Sequence, residues 1–388
     1  MISLISLAII LGFSSGRLGI TQGLPLQEVS AWVLLTLKTL ATPLLFFSIL
    51  DAFSKITIPW RKGLKLIGLS TMNAGVASLI CLVMTELTAN FFSEMSPQTF
   101  FLNGPAGNRI LDSTQHTRSW LQPNLLQVAL IALALGSLIR KFAAHQFILK
   151  KINQTLEVFI RILHGVVLVL PIAVFCTIAH LASTPGWADF EALGGLIAVV
   201  VGGLMLQLLC YYPFLIATLG KRSPFTFFIN SKEALVTALG TGSSLATLPV
   251  TLRTLEKKLQ ISPQSARLVA CVGTNLNHDG ILLYEACAAL SIAQLYGIHL
   301  NWVQKLQILC SSVIAAVGIA GVPEAGLITL SLVLSAAHLP TEMIPLLMSI
   351  DWLMGRLRAT LNVASDLVIA TLMDESNYQN STRSVSRL

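Results

Sequence analysis

The chain has 388 residues, 54% of them hydrophobic and 11% charged, with a mean hydropathy of +0.75. A soluble domain carries roughly a quarter charged residues, so this balance excludes an ordinary soluble protein and points to an all-α chain that crosses a membrane repeatedly. The net charge of +7 would suit a nucleic-acid partner, but its distribution along the chain excludes one.

A helix needs about 17–25 predominantly apolar residues to cross a bilayer. In chain order, spans are expected at 2–20, 31–53, 66–91, 120–140, 154–182, 190–219, 264–293 and 342–373, eight in all. The first run lacks the basic start of a signal peptide, so it is expected to stay as a short first span. Lys55, Arg61, Lys62 and Lys65 follow the second run, and Arg140, Lys141, Lys150 and Lys151 follow the fourth. Lys221 and Arg222 follow the sixth, and Arg383 and Arg387 close the tail. The intervening loops are poor in positive charge: 92–119 holds only Arg109 and Arg118, and 183–189 holds none. This alternation follows the positive-inside rule and puts both termini in the cytoplasm. The six cysteines are scattered singly with no CxxC pair, which indicates neither a disulfide framework nor a zinc site.

Two apolar regions do not fit a simple span. In 226–258 the middle reads "GTGSS", which is turn chemistry, and it leaves two arms too short to cross a core of about 30 Å. In 303–340, Gly318, Gly321, Pro323 and Gly326 interrupt the apolar run. Both regions are expected to be re-entrant helical hairpins, because irregular backbone survives at membrane depth only where protein buries it or water lines it. Each precedes a full span with polar residues. That gives hairpin–helix twice over, an inverted repeat of the kind that encloses a transporter's binding site.

The seventh run contains "GTNLNHDGILLYEA", 273–286, in which Asn275, Asn277 and Asp279 are spaced by two between Gly273 and Gly280. That spacing suits locally unwound chain, whose free carbonyls, with a carboxylate, can hold a hard cation such as Na⁺. The eighth contains "IDWLMGRLRATLNVASD", 350–366, where Asp351, Arg358, Asn362 and Asp366 fall on one side of a helix. Charged groups at mid-bilayer cost about 2.5–3.5 kcal/mol even on the lenient insertion scale, so they need partners. Two readings follow. Asp279 and Asp366 hold a cation while Arg358 holds an anion, or Arg358 pairs internally with Asp279 or Asp366. An arginine grips a carboxylate through two parallel hydrogen bonds, which favours a carboxylate substrate. His278 beside Asp279 is a possible proton site. Arg356 lies off the stripe.

These stretches, with "SSLATLPVT", "NHDG" and "GIAGVPEAGLITLSLVLSAAHLPTE", resemble the dicarboxylate/amino acid:cation symporter family, the glutamate-transporter homologues, over nearly the whole chain. The resemblance implies a homotrimer of elevator-type protomers in the cell membrane. Residues 1–60 and 120–185 would form the scaffold, 61–91 and 186–373 the moving transport domain, and 374–388 a cytoplasmic tail. Arg358 matches the arginine that takes the substrate's distal carboxylate. Asn362 matches an asparagine that contacts substrate and lends its carbonyl to a cation. Ser244, Gly321 and Val322 match hairpin-tip positions that hold the α-carboxylate. Gly273, Asn277 and Asp366 match one sodium site, Asn277 with Asp279 a second, and carbonyls of Asn275, Ala316, Val317 and Ile319 the third.

Departures from the family pattern bear on substrate and coupling. The three-serine tip reads Ser243, Ser244, Leu245 here, and threonine is usual where Ala359 and Ile281 stand. Gly355 replaces the aspartate that binds the ammonium in the amino acid transporters. Without that counter-ion a desolvated ammonium costs several kcal/mol, which favours a C4-dicarboxylate over an amino acid. Around Asp279 the motif is "NHDGI", with Ser70, Asn73 and Ala74 on span three, so fewer oxygens converge there. Loss of that cation, or a proton on Asp279 or His278 in its place, is the expectation. A channel built on the same hairpins is the alternative function; no catalytic motif points to an enzyme.

Overall fold

The computed structural model describes residues 2–21, 24–55, 60–90, 125–139, 145–183, 188–273, 276–318, 326–341 and 343–374. Gly321, Val322, Asn275 and Ile319 lie outside the described residues, as do the basic residues Arg140, Lys141, Arg383 and Arg387. Within them the regular structure is entirely helical. We number the helices α1 (Ile2–Arg17), α2 (Leu26–Lys55), α3 (Trp60–Leu87), α4 (Leu125–Ile139) and α5 (His145–Ser183). Helix α6 (Ala188–Leu206) runs through a π-helical turn, Gln207–Tyr211, into α7 (Tyr212–Thr218). There follow α8 (Pro224–Thr241), α9 (Ser244–Arg253), α10 (Pro263–Leu268) and α11 (Asp279–Leu295). The last three are α12 (Trp302–Gly318), α13 (Gly326–Ala336) and α14 (Ile344–Met373).

Among the described residues, three helical stretches are long and apolar enough to cross a membrane by length and composition: Arg61–Leu87, Gln146–His180 and Leu193–Thr218. Among the described residues α1 and α4 have 16 and 15 residues. The seventh run is broken between α10 and α11, and α14 carries Asp351, Arg356, Arg358 and Asp366 along its length.

α1 and α2 lie along α5, and α4 lies against α2. Small residues set the α1–α5 approach. A Cβ on Gly12 would sit 2.8 Å from the Phe175 carbonyl oxygen, and one on Gly16 would overlap that of Ala179. Such small-xxx-small spacing lets helix backbones close together where apolar lipid supplies no net drive to association. A second group forms around α11, which packs on α3, α6, α12 and α14, while α8 and α9 pack on α14. The α11 helix is buried over almost its whole length, from Asp279 to Leu295.

The reversal at "GTGSS" is compact. Gly242 ends α8 in the left-handed region, φ 66°, with its N–H donating to the Ala238 carbonyl at 2.8 Å. A side chain is strained in that conformation and glycine is not. The next residue, Ser243, caps α9 by accepting from the Ala246 N–H at 3.2 Å. The two arms pack on each other and are unequal, 18 residues in α8 and 10 in α9, so the first is longer than the short arm expected. In the seventh run, α10 widens into a π-helical turn, Val269–Gly273, and α11 starts at Asp279 after the non-helical Asn277 and His278. Of the three residues expected on unwound chain, Asn277 is non-helical, Asp279 opens α11, and Asn275 lies outside the described residues.

Candidate functional site

The site lies where the break before α11 meets the polar side of α14. Arg358 on α14 is 5% exposed. Its Nη2 donates to the Asp351 carboxylate at 2.9 Å, one residue of the same polar stripe, seven positions earlier. Its guanidinium carbon lies 4.3 Å from the ring centroid of Tyr284 on α11, within range of a cation–π contact. Nη1 is buried and has no hydrogen-bond partner among the described residues. The arginine is thus charge-paired through one nitrogen and still able to donate through the other.

Two glycines make room for it. A Cβ on Gly326, the first residue of α13, would overlap the guanidinium, and one on Gly280 would overlap the Arg358 backbone carbonyl. Gly355 faces the same group: a Cβ there would meet Nη2 at 3.4 Å. Ala359 is buried beside Arg358 in sequence, and Ile281 on α11 is half-buried. Ser244 opens α9, next to the hairpin glycine Gly242, whose neighbourhood includes the Arg356 side chain. Gly242 therefore lies against α14 at Arg356, two residues before Arg358 and off its polar stripe.

Asn362 and Asp366, one and two turns beyond Arg358, are buried. The Asn362 Oδ1 accepts the Gly280 N–H at 2.8 Å, tying α14 to the start of α11 and leaving the amide nitrogen to donate. The Asn277 Nδ2 donates to the Asp366 Oδ1 at 3.3 Å, and the Asn277 N–H to the Gly273 carbonyl at 2.7 Å. Asn277 Oδ1 is buried without a partner among the described residues. An unpartnered amide oxygen beside a carboxylate and a backbone carbonyl is the donor set a hard cation takes, so the residues present fit Na⁺. Ala316 and Val317 close α12 at the second hairpin.

Asp279 has different company. Its Oδ2 accepts from Ser365 Oγ at 2.6 Å, Tyr212 Oη at 2.7 Å and Gln207 Nε2 at 3.0 Å. His278 is buried at the residue before, with Nδ1 lacking a partner among the described residues.

Several of these partners escape sequence reasoning. The internal pairing considered for Arg358 was with Asp279 or Asp366, whereas the partner is Asp351. Its seven-residue spacing was visible, but position on a face does not say which acid on that face takes the charge. Gln207 and Tyr212 sit in a run that reads as a plain apolar span. Glu285, next to Tyr284 in "YEA", is fully buried beside Thr329 of α13; a carboxylate in mid-span is the signal that could have found it.

The chain is 37% identical over 245 residues to mouse excitatory amino acid transporter 3, covering 63% of this chain and 47% of that protein. It is 33% identical over 253 residues to a Caenorhabditis elegans excitatory amino acid transporter, covering 64% and 50%. With human excitatory amino acid transporter 2 the identity is 42% over 174 residues, 45% of this chain and 30% of that one. The chain spans about half or less of the length of these relatives. The model of the sodium:dicarboxylate symporter family matches residues 1–376, and the chain belongs to that family of multi-pass membrane transporters.

Proposed function

We propose that the protein is a secondary active symporter that moves a C4-dicarboxylate, in preference to an acidic amino acid, together with Na⁺. The observation that carries this reading is Arg358: buried, held at a defined orientation by Asp351 and Tyr284, and with Nη1 unpartnered among the described residues. A substrate carboxylate satisfies that donor and adds the negative charge that a sodium ion beside Asp366 and Asn277 balances. Asn362 donates to the same substrate, and Ser244, Gly321 and Val322 at the hairpin tips take its other carboxylate. Gly355, Ala359 and Ile281 line the space with no group to receive an ammonium.

The cation bound by Gly273, Asn277, Asn362 and Asp366 supplies positive charge that lowers the cost of bringing a dianion inside. Carbonyls of Asn275, Ala316, Val317 and Ile319 form a further sodium position, released when the second hairpin moves. His278 is our reading for a position where a proton could travel with the substrate. Substrate and cations cross together in an elevator movement of 61–91 and 186–373 against a trimeric scaffold of 1–60 and 120–185. The chain then has eight spans and two inverted-repeat hairpins, with both termini and the tail 374–388 in the cytoplasm. Support for this division is the packing of α1, α2, α4 and α5 on one another, and of α3, α6, α12 and α14 around α11.

Uptake by proteoliposomes tests the reading. Succinate and aspartate are compared while sodium and proton gradients are imposed separately. Saturable, sodium-driven succinate uptake is expected. Linear flux that follows the substrate gradient alone overturns symport in favour of a channel.

A further inference from the structure

Resting on the symport reading, we infer that the Asp279 carboxylate is held through Oδ2 by three protein hydrogen-bond donors and holds no coupling cation. The transporter then moves at most two sodium ions per substrate.

The geometry is specific. In an α-helix, residues five apart point about 140° away from one another. The π-helical turn changes this: Tyr212 donates its backbone N–H to the Gln207 carbonyl, an i to i+5 bond that adds a residue to the turn. Gln207 and Tyr212 consequently both reach Oδ2 of Asp279, and the Gln207 amide also donates to Tyr212 Oη at 3.1 Å. From the opposite side comes a second chain. Tyr211 Oη donates to Asn73 Oδ1 at 3.0 Å, Asn73 Nδ2 donates to Ser365 Oγ at 3.0 Å, and Ser365 Oγ donates to Asp279.

Every step of both chains runs toward the carboxylate. The hydroxyls of Tyr212 and Ser365 spend their hydrogens on Asp279 and already accept from a nitrogen behind them. A cation requires the reverse, a shell of oxygens presenting lone pairs. Among the oxygens of these donors, Gln207 Oε1 is the one without a partner among the described residues, and one amide oxygen does not make a shell. Three donors on one carboxylate oxygen stabilise the ionised form much as a counter-ion does, and such networks strengthen cooperatively away from water. Asn277 Oδ1, by contrast, is an acceptor without a partner among the described residues. The two acids of this interior therefore have separate tasks: Asp366 meets the ion, and Asp279 fastens α3, the α6–α7 turn and α14 to the start of α11.

The test is the sodium-to-succinate coupling ratio, measured from reversal potentials in proteoliposomes, for the native chain, Asp279→Asn and Tyr212→Phe. The expected ratio is two or below in the native chain and unchanged in both variants, with sodium half-saturation moved less than threefold and a lower melting temperature. A ratio of three, a ratio that falls by one in Asp279→Asn, or a tenfold rise in sodium half-saturation in Tyr212→Phe overturns the inference. If Asp279→Asn does not fold, Tyr212→Phe decides alone, because it keeps the carboxylate and removes one donor. Native protein that takes up neither succinate nor aspartate under any gradient overturns the transport reading instead, and this inference with it.

Discussion

Replacing Arg358 by lysine separates two roles that deletion would confound. A lysine can still pair with Asp351, so a purely structural ion pair survives the change. It cannot also present a second, fixed nitrogen to a substrate, and it loses the guanidinium placed 4.3 Å from the Tyr284 ring centroid. A hydrogen bond to a charged group is worth about 1.5–3 kcal/mol, and a cation–π contact about 0.5–2 kcal/mol. Together they span about 2–5 kcal/mol, and a loss of about 3 kcal/mol weakens dicarboxylate binding by about 150-fold. Equilibrium binding of radiolabelled succinate in saturating sodium reads this directly, with size-exclusion chromatography and melting temperature as checks on folding. Lysine protein that is well folded and binds succinate within threefold of native would refute the substrate role and leave Arg358 as Asp351's structural partner.

Other substitutions address neighbouring parts of the account. Gly326→Ala puts a methyl where the guanidinium lies; uptake is expected to fall at least tenfold with expression retained, and unchanged uptake would show that the arginine can relocate freely. Gly355→Asp sets a carboxylate beside Arg358, since even a Cβ there comes within 3.4 Å of Nη2. The succinate-to-aspartate uptake ratio should fall at least tenfold, and a constant ratio would remove the argument for a dicarboxylate. Asp366→Asn takes away the carboxylate beside the unpartnered Asn277 oxygen. Sodium half-saturation for succinate uptake should rise at least tenfold, and a native value would locate the ion elsewhere.

Much of this architecture was legible because the relevant signals are local. "GTGSS" contains the residue needed for a left-handed turn followed by a helix-capping serine, and the chain reverses there at Gly242 and Ser243. The two-residue spacing of Asn277 and Asp279 is incompatible with one helical face, and the helix does start afresh at Asp279. Helix ends were less legible. α5 begins at His145 rather than near 154, because a helix continues past its apolar stretch wherever its polar residues face outward. Least legible were partners joined by the tertiary fold. Gln207 and Tyr212 reach Asp279 only through a π-helical turn, and "QLLCYY" has no composition that distinguishes such a turn from plain helix. Asp351 was visible on the stripe, yet its choice by Arg358 over Asp279 or Asp366 follows from side-chain reach. Asp279 is already surrounded by donors, and Asp366 takes the Asn277 amide.

Isothermal titration of the purified protein with succinate, at zero and at saturating sodium, tests the central claim most directly. The account predicts saturable binding in sodium, weakened at least tenfold without it, and lost in Arg358→Ala. Absence of succinate or aspartate binding at any sodium concentration, in folded protein, would contradict it.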